Sequence, residues 1–69
     1  MARDKHTSSN VDWTEYDEAT RRLTVRFHSG KTYTYDAVPP GAYSSLLDAE
    51  SVGRHLNQHI IPNHQARRH

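Results

Sequence analysis

The 69-residue sequence contains no cysteine, which excludes disulfides, cysteine-ligated zinc sites and thiol catalysis. It also has no apolar run long enough for a signal peptide or a membrane span, and residues 1–6 are charged and polar. Both features are compatible with a reducing compartment. We therefore expect a cytoplasmic protein with no membrane partner.

Apolar residues are also scarce, at 33% of the chain, with aromatic residues at 9%. A chain of this length forms one small domain, which buries only about 60% of the surface that its unfolded chain exposes. A large internal cavity would cost packing that such a thin core cannot spare. We expect a groove or a flat surface as the binding feature, and self-association would be a natural supplement to the core.

The charge balance lacks a strong excess of either sign, since the formal net charge is +1. A typical nucleic-acid-binding domain is much more basic. The basic residues nevertheless cluster around the predicted hairpin and in the tail: Arg21, Arg22, Arg26, Lys31, Arg67 and Arg68. This pattern leaves two readings open, an ordinary solvated surface or a functional basic patch.

Alternating β-branched and aromatic residues predict strands at residues 11–16, 22–28 and 32–36, joined by polar turns. Helical spacing follows Pro39 and Pro40, and Ser51 is a plausible N-cap for a second helix that Pro62 ends. The predicted fold is α+β, a three-stranded antiparallel β-meander packed by one or two C-terminal helices. Residues 1–9 are predicted to be a flexible lead, 10–62 the domain and 63–69 a flexible basic tail.

The loop between the second and third predicted strands decides where Tyr33 and Tyr35 point. A two-residue loop would place them opposite Arg26 and Thr24 on the polar face, where they could stack on a ligand. A three-residue loop ending at Gly30 would place them on the core face instead, because a shift of one residue exchanges the faces. The need for core aromatics favours the three-residue loop.

No group of residues assembles a nucleophile, a base and an orienting partner, so the sequence predicts no enzyme activity. His55 and His59 have the spacing of two metal ligands on a helix, but the glutamate of the zinc-protease signature is absent and two histidines need further partners. We therefore expect no metal site and no cofactor.

A series of residues resembles the KTSC domain in order and spacing: Ser8-Ser9-Asn10-Val11, Tyr16-Asp17, Leu23-x-Val25-x-Phe27-x-Ser29-Gly30, Tyr33-x-Tyr35, Val38-Pro39, Tyr43, Leu46, Ala49-x-Ser51-x-Gly53 and Leu56-Asn57. The family is named from the C-terminus of some lysyl-tRNA synthetases and also occurs as short bacterial and phage proteins. Trp13 and His55 depart from the family pattern. The resemblance implies RNA binding, suggested by the synthetase context and the central Tyr-x-Tyr motif.

These observations lead to two alternative functions. The first is a nucleic-acid-binding module, for RNA or tRNA, that uses a basic sheet face. Its expected contacts are Arg22, Arg26, Lys31, Tyr33, Tyr35 and Arg54. The second is a protein-interaction module, homo-oligomeric or acting on a host protein if the source is a phage, with an exposed apolar patch at Trp13 or Tyr43.

Overall fold

Five antiparallel strands follow one another as neighbours in a single sheet of the computed structural model, which describes residues 2–6 and 10–68. The sheet order is the chain order, so each strand pairs with the next. The strands are β1 (Ala2–Lys5), β2 (Val11–Asp17), β3 (Arg22–Phe27), β4 (Thr32–Tyr35) and β5 (Ala66–Arg68). The class is α+β, as the sequence predicts.

The three predicted strands are β2, β3 and β4, but the predicted strand count is too low. β1 and β5 extend the sheet at its two edges, and both come from segments that the sequence predicts to be flexible. Their polar residues show no apolar alternation, so the pattern that identifies the central strands does not identify them. Residues 1, 7–9 and 69 of those two segments lie outside the described residues.

Two helices and a π-helical turn follow β4, which agrees with the predicted one or two C-terminal helices. Helix α1 (Pro40–Asp48) has proline at its first position, where the missing N–H is not needed. Helix α2 (Val52–His55) begins after Ser51, whose hydroxyl accepts a hydrogen bond from the Arg54 N–H at 3.3 Å. The π-helical turn (Leu56–Ile60) continues α2 directly.

The β3–β4 loop has three residues, so the register is the one that core packing favours. Phe27 N donates to the Lys31 carbonyl at 2.9 Å, and Gly30 ends the loop with φ of 94°. The positive φ is a conformation that glycine adopts without steric cost. Tyr33 therefore lies opposite Val25, one row farther from the loop than the pair of Arg26 and Thr32.

The core lies between one face of the sheet and the helices. The stacked rings of Tyr16 and Tyr43, with centroids 4.8 Å apart, join β2 to α1. The buried apolar residues come from β2 to β4, from the segment after β4, and from the helical region: Val11, Tyr16, Leu23, Val25, Tyr35, Val38, Tyr43, Leu46, Val52, Leu56 and Ile60. The other face of the sheet, called here the open face, carries the polar side chains that alternate with these.

Candidate ligand-binding surfaces

The register of the open face sorts its side chains into rows that run across the strands. One row, near the β3–β4 loop, contains Lys5, Trp13, Arg26 and Thr32. The next row contains Glu15, Thr24, Thr34 and Arg67. Each row thus combines residues that are far apart in the sequence.

At the end of the sheet away from the β3–β4 loop, two arginines meet one carboxylate. Asp36 Oδ1 lies 3.5 Å from Arg22 Nε, and Asp36 Oδ2 lies 3.0 Å from Arg67 Nε. We call these three residues the Asp36 cluster. They border a shallow groove of about 390 Å³ that also has Glu15 and Asp17 in its wall. Positive and negative charges therefore alternate here, and this part of the predicted basic face is largely neutralised.

The row nearest the β3–β4 loop has a different character. Arg26 lies directly across from the half-buried Trp13, and its Nη1 donates to Thr32 Oγ1 at 3.5 Å. Lys5, which pairs with Trp13 from β1, is exposed. An arginine and a lysine therefore flank an indole ring, the combination that nucleic-acid surfaces use for phosphate contact and base stacking.

A second groove, of about 380 Å³, lies at the same end of the sheet and reaches α2 and the π-helical turn. We call it the hairpin groove. The rings of Phe27 and Tyr33 meet edge to face in it, with centroids 5.8 Å apart. Among the described residues, its lining contains two carboxamides, an ammonium group, an imidazole and no carboxylate: Asn10, Phe27, His28, Ser29, Lys31, Tyr33, Gly53 and Asn57.

The structure separates the residues that the sequence groups as one nucleic-acid site. Lys31 and Tyr33 line the hairpin groove, Arg26 lies on the open face at the same end, and Arg22 belongs to the Asp36 cluster. Arg54 is exposed on α2, in a depression that also contains Glu50 and His55.

Two of the predicted contact residues lie in the core. Tyr35 is only 3% exposed because the three-residue loop turns it toward the helices, so its predicted stacking on bases is wrong. Tyr43 is 6% exposed because its ring stacks on Tyr16, so it is not the centre of an exposed apolar patch. Trp13 itself is half-buried on the open face, on the other side of the sheet from Tyr43.

A polar network that the sequence does not predict joins β1, β2 and α1 beneath the helices. The Tyr43 hydroxyl donates to Asp4 Oδ2 at 2.6 Å and lies 3.0 Å from the buried Thr14 hydroxyl. Thr14 Oγ1 is also 2.7 Å from His6 Nε2. Burial raises the pKa of Tyr43, and the bond to Asp4 raises it further. Burial lowers the pKa of His6, against the opposing charge of Asp4.

The histidine pair of the helical region also comes together. The rings of His55 and His59 lie 4.6 Å apart between centroids, with planes tilted by 39°. Burial lowers the pKa of His55, and the neighbouring His59 lowers it further. Within residues 2–6 and 10–68, no group of three or more potential metal ligands occurs.

These features define a small α+β domain with an antiparallel sheet, helices on one face and shallow grooves at its surface. The family model of the KTSC domain matches residues 7–64. The chain belongs to the KTSC domain family. No helix within the described residues is long and apolar enough to cross a membrane.

Relatives of this chain are found in several organisms. An uncharacterized protein from Stutzerimonas stutzeri is 46% identical over 57 residues, which cover 83% of this chain and 80% of that protein. A lysine–tRNA ligase from Nostoc punctiforme is 38% identical over 56 residues, which cover 81% of this chain but 10% of the ligase. The crystal structure of a KTSC domain protein from Yersinia pestis superposes with a TM-score of 0.93 at 29% identity, covering 99% of this chain and 96% of that one.

Proposed function

We propose that this protein is a non-catalytic module that binds single-stranded RNA at the β3–β4 loop end of its sheet. The observation that carries the proposal is the hairpin groove. It brings the Tyr33 ring, the Lys31 ammonium group and two carboxamides together, and the part of its lining that the structure describes has no carboxylate. Phosphates are repelled by carboxylates, so a lining of this kind suits a nucleotide better than the groove beside the Asp36 cluster.

Four residues of the hairpin groove have assigned roles in this proposal. Lys31 is exposed and would contact a phosphate, while the half-buried Tyr33 ring offers an edge or part of a face to a base. Asn10 and Asn57 carry both donors and acceptors, which suit the edges of an unpaired base.

The open face would continue the same binding path around the end of the sheet. Arg26 and Trp13 lie one row from the loop, and Lys5 lies beside them on β1. A single strand that leaves the hairpin groove would meet these side chains next. Arg22 contributes less in this proposal, because Asp36 already holds its guanidinium.

The relationship to a tRNA ligase supports RNA over other polyanions. A protein named as a lysine–tRNA ligase contains a segment 38% identical to this chain, in one tenth of its length. A ligase of that name acts on tRNA, and a domain that holds unpaired nucleotides would serve such an enzyme.

The test is a titration of a fluorescently labelled single-stranded RNA, read by anisotropy at low and at physiological salt. We expect the double variant Arg26→Ala, Lys31→Ala to lose at least about tenfold in affinity and to reduce the salt dependence. The matched control is Arg22→Ala with Arg67→Ala, which also removes two positive charges but should weaken binding much less.

Tyr33→Leu separates stacking from charge. Loss of a stacked base costs about 1–3 kcal/mol, so binding should weaken at both salt concentrations with an unchanged salt slope. Far-ultraviolet circular dichroism checks that the variant is folded.

Equal losses of RNA affinity in the two double variants, or no binding by the parent protein at low salt, would contradict the proposal.

The alternative, a protein-interaction module, has its support in apolar groups on the surface. Leu47 and Ile61 are the large hydrophobic residues exposed in the described part of the chain, at 40% and 41%. Self-association through them is measured by sedimentation equilibrium, and Leu47→Ser with Ile61→Ser should then shift a dimer to a monomer. A monomer at all concentrations argues against self-association.

A further inference from the structure

We propose that His55 and His59 together chelate a borderline transition-metal ion such as Zn²⁺, Ni²⁺ or Cu²⁺. The inference is independent of RNA binding and concerns a different surface, where α2 passes into the π-helical turn. Spacing alone does not predict this site. The structure adds two observations, the separation of the rings and the local helical geometry.

The ring separation is suited to a shared ion. Imidazole nitrogens bind Zn²⁺ at about 2.0–2.1 Å, so two of them on one ion must lie within about 4.2 Å of each other. The rings of His55 and His59 have their centroids 4.6 Å apart and a tilt of 39°. Side-chain rotations from this arrangement would bring one nitrogen of each ring to a common ion.

The backbone around the pair is unusual. His55 ends α2, and His59 lies in the π-helical turn Leu56–Ile60, in which the Ile61 N–H bonds to the Leu56 carbonyl at 2.8 Å. Such turns are rare and are frequent at functional sites. One candidate ligand ends α2 and the other lies within the wider turn, so a bound ion would link the two helical segments.

Other histidines in the described part of the chain are placed differently. His6 bonds to Thr14 and the His64 ring to the Asp36 carbonyl, and His28 lies in the β3–β4 loop. With only two protein ligands, the remaining coordination positions of the ion would be filled by water. The proposed site is therefore an exchangeable one and not a structural zinc centre, which has four protein ligands. Nitrogen ligands favour Cu²⁺ over Ni²⁺ and Zn²⁺, and they exclude Mg²⁺, which prefers oxygen.

The experiment is a calorimetric titration of the full chain with ZnCl₂, repeated for His55→Gln, His59→Gln and the control His28→Gln. We expect one ion per chain and a loss of at least tenfold in affinity for each of the first two variants, with the control unchanged. Mg²⁺ should produce no binding heat. The same zinc affinity in His55→Gln and His59→Gln, or no saturable zinc binding by the parent protein, overturns the proposal.

Two further readouts locate the ion without relying on affinity. Ni²⁺ should broaden amide resonances around residues 55 and 59 first, in a ¹H–¹⁵N correlation spectrum. Zinc should also raise the melting temperature of the parent protein, because an ion that binds only the folded state stabilises it, and this rise should vanish in His55→Gln. Broadening centred elsewhere places the ion at another site and refutes the assignment.

Discussion

The two edge strands of the sheet are anchored by contrasting interactions. β1 is held beneath the helices, where the Tyr43 hydroxyl donates to Asp4 at 2.6 Å. β5 is held on the open face, where Arg67 pairs with Asp36 at 3.0 Å. Both strands are short and polar, so neither is placed by an apolar pattern of its own.

Solvent access makes these two anchors unequal. Tyr43 is 6% exposed, whereas the side chains of Arg67 and Asp36 are 65% and 30% exposed. A hydrogen bond to a charged group contributes about 1.5–3 kcal/mol, and an exposed ion pair contributes about 0.2–1 kcal/mol. A polar edge strand is therefore held more firmly by one part-buried hydrogen bond to a carboxylate than by one solvated ion pair.

The largest expected effect comes from Tyr43→Phe. This change keeps the ring that stacks on Tyr16 but leaves Asp4 and Thr14 without their shared partner. We expect the free energy of unfolding to fall by about 1.5–3 kcal/mol, measured by urea denaturation.

The matched control for this variant is Tyr33→Phe, which removes a hydroxyl from a half-buried ring on β4. Tyr33→Phe should lower the free energy of unfolding by much less than Tyr43→Phe does. Equal losses from the two variants would show that the hydroxyl of Tyr43 does not anchor β1, and the contrast between the edges would then have no energetic basis.

Alkaline pH should weaken the same anchor. Burial and the bond to Asp4 raise the pKa of Tyr43, against the effect of Thr14, so the folded protein keeps a proton that the unfolded chain loses near pH 10. The unfolded state then binds fewer protons, and stability falls as pH rises above about 10, by at most about 1.4 kcal/mol per pH unit for this group.

Denaturation curves between neutral pH and pH 11 measure this slope. Tyr43→Phe should make it shallower without removing it, because burial also raises the pKa of Tyr35. A slope that is the same in the parent protein and in Tyr43→Phe would mean that Tyr43 ionises alike in both states.

The central part of the fold could be predicted because its residues repeat with the period of a strand. Leu23 and Val25 alternate with polar residues in β3, and Gly30 is the residue that a three-residue loop needs at its end. The register followed from packing, since a small core needs Tyr33 and Tyr35 on the helix side.

The edge strands could not be predicted in this way. β1 and β5 are stabilised by the main-chain ladder and by partners far along the chain, such as Tyr43 for Asp4 and Asp36 for Arg67. The hairpin groove is equally non-local, because Asn10 and Asn57 approach Tyr33 only after folding. The sequence did indicate some of the candidate contact residues, Lys31 and Tyr33 among them. It did not indicate which of these residues share a surface.

Asp36→Asn should have a smaller effect than any change at Tyr43. It removes the acceptor charge for both Arg22 and Arg67, so two exposed pairs weaken together. We expect a loss of about 1 kcal/mol at low salt that shrinks toward zero in high salt, because ions screen exposed charges. Denaturation at two salt concentrations measures it, and a loss that does not change with salt would contradict a purely electrostatic role.

The smallest effect is expected for Arg22→Ala. The Arg22 side chain is 55% exposed and its nitrogen lies 3.5 Å from Asp36, so the pair contributes only about 0.2–1 kcal/mol. Arg67 remains to pair with Asp36 in this variant, and β3 is held by strands on both sides, so neither the fold nor the β5 anchor should change. A double-mutant cycle with Asp36→Asn measures the coupling, which should be no larger than that of Arg67 with Asp36. A coupling above about 1.5 kcal/mol would exceed the range of exposed pairs and would contradict a weak, solvated contact between Arg22 and Asp36.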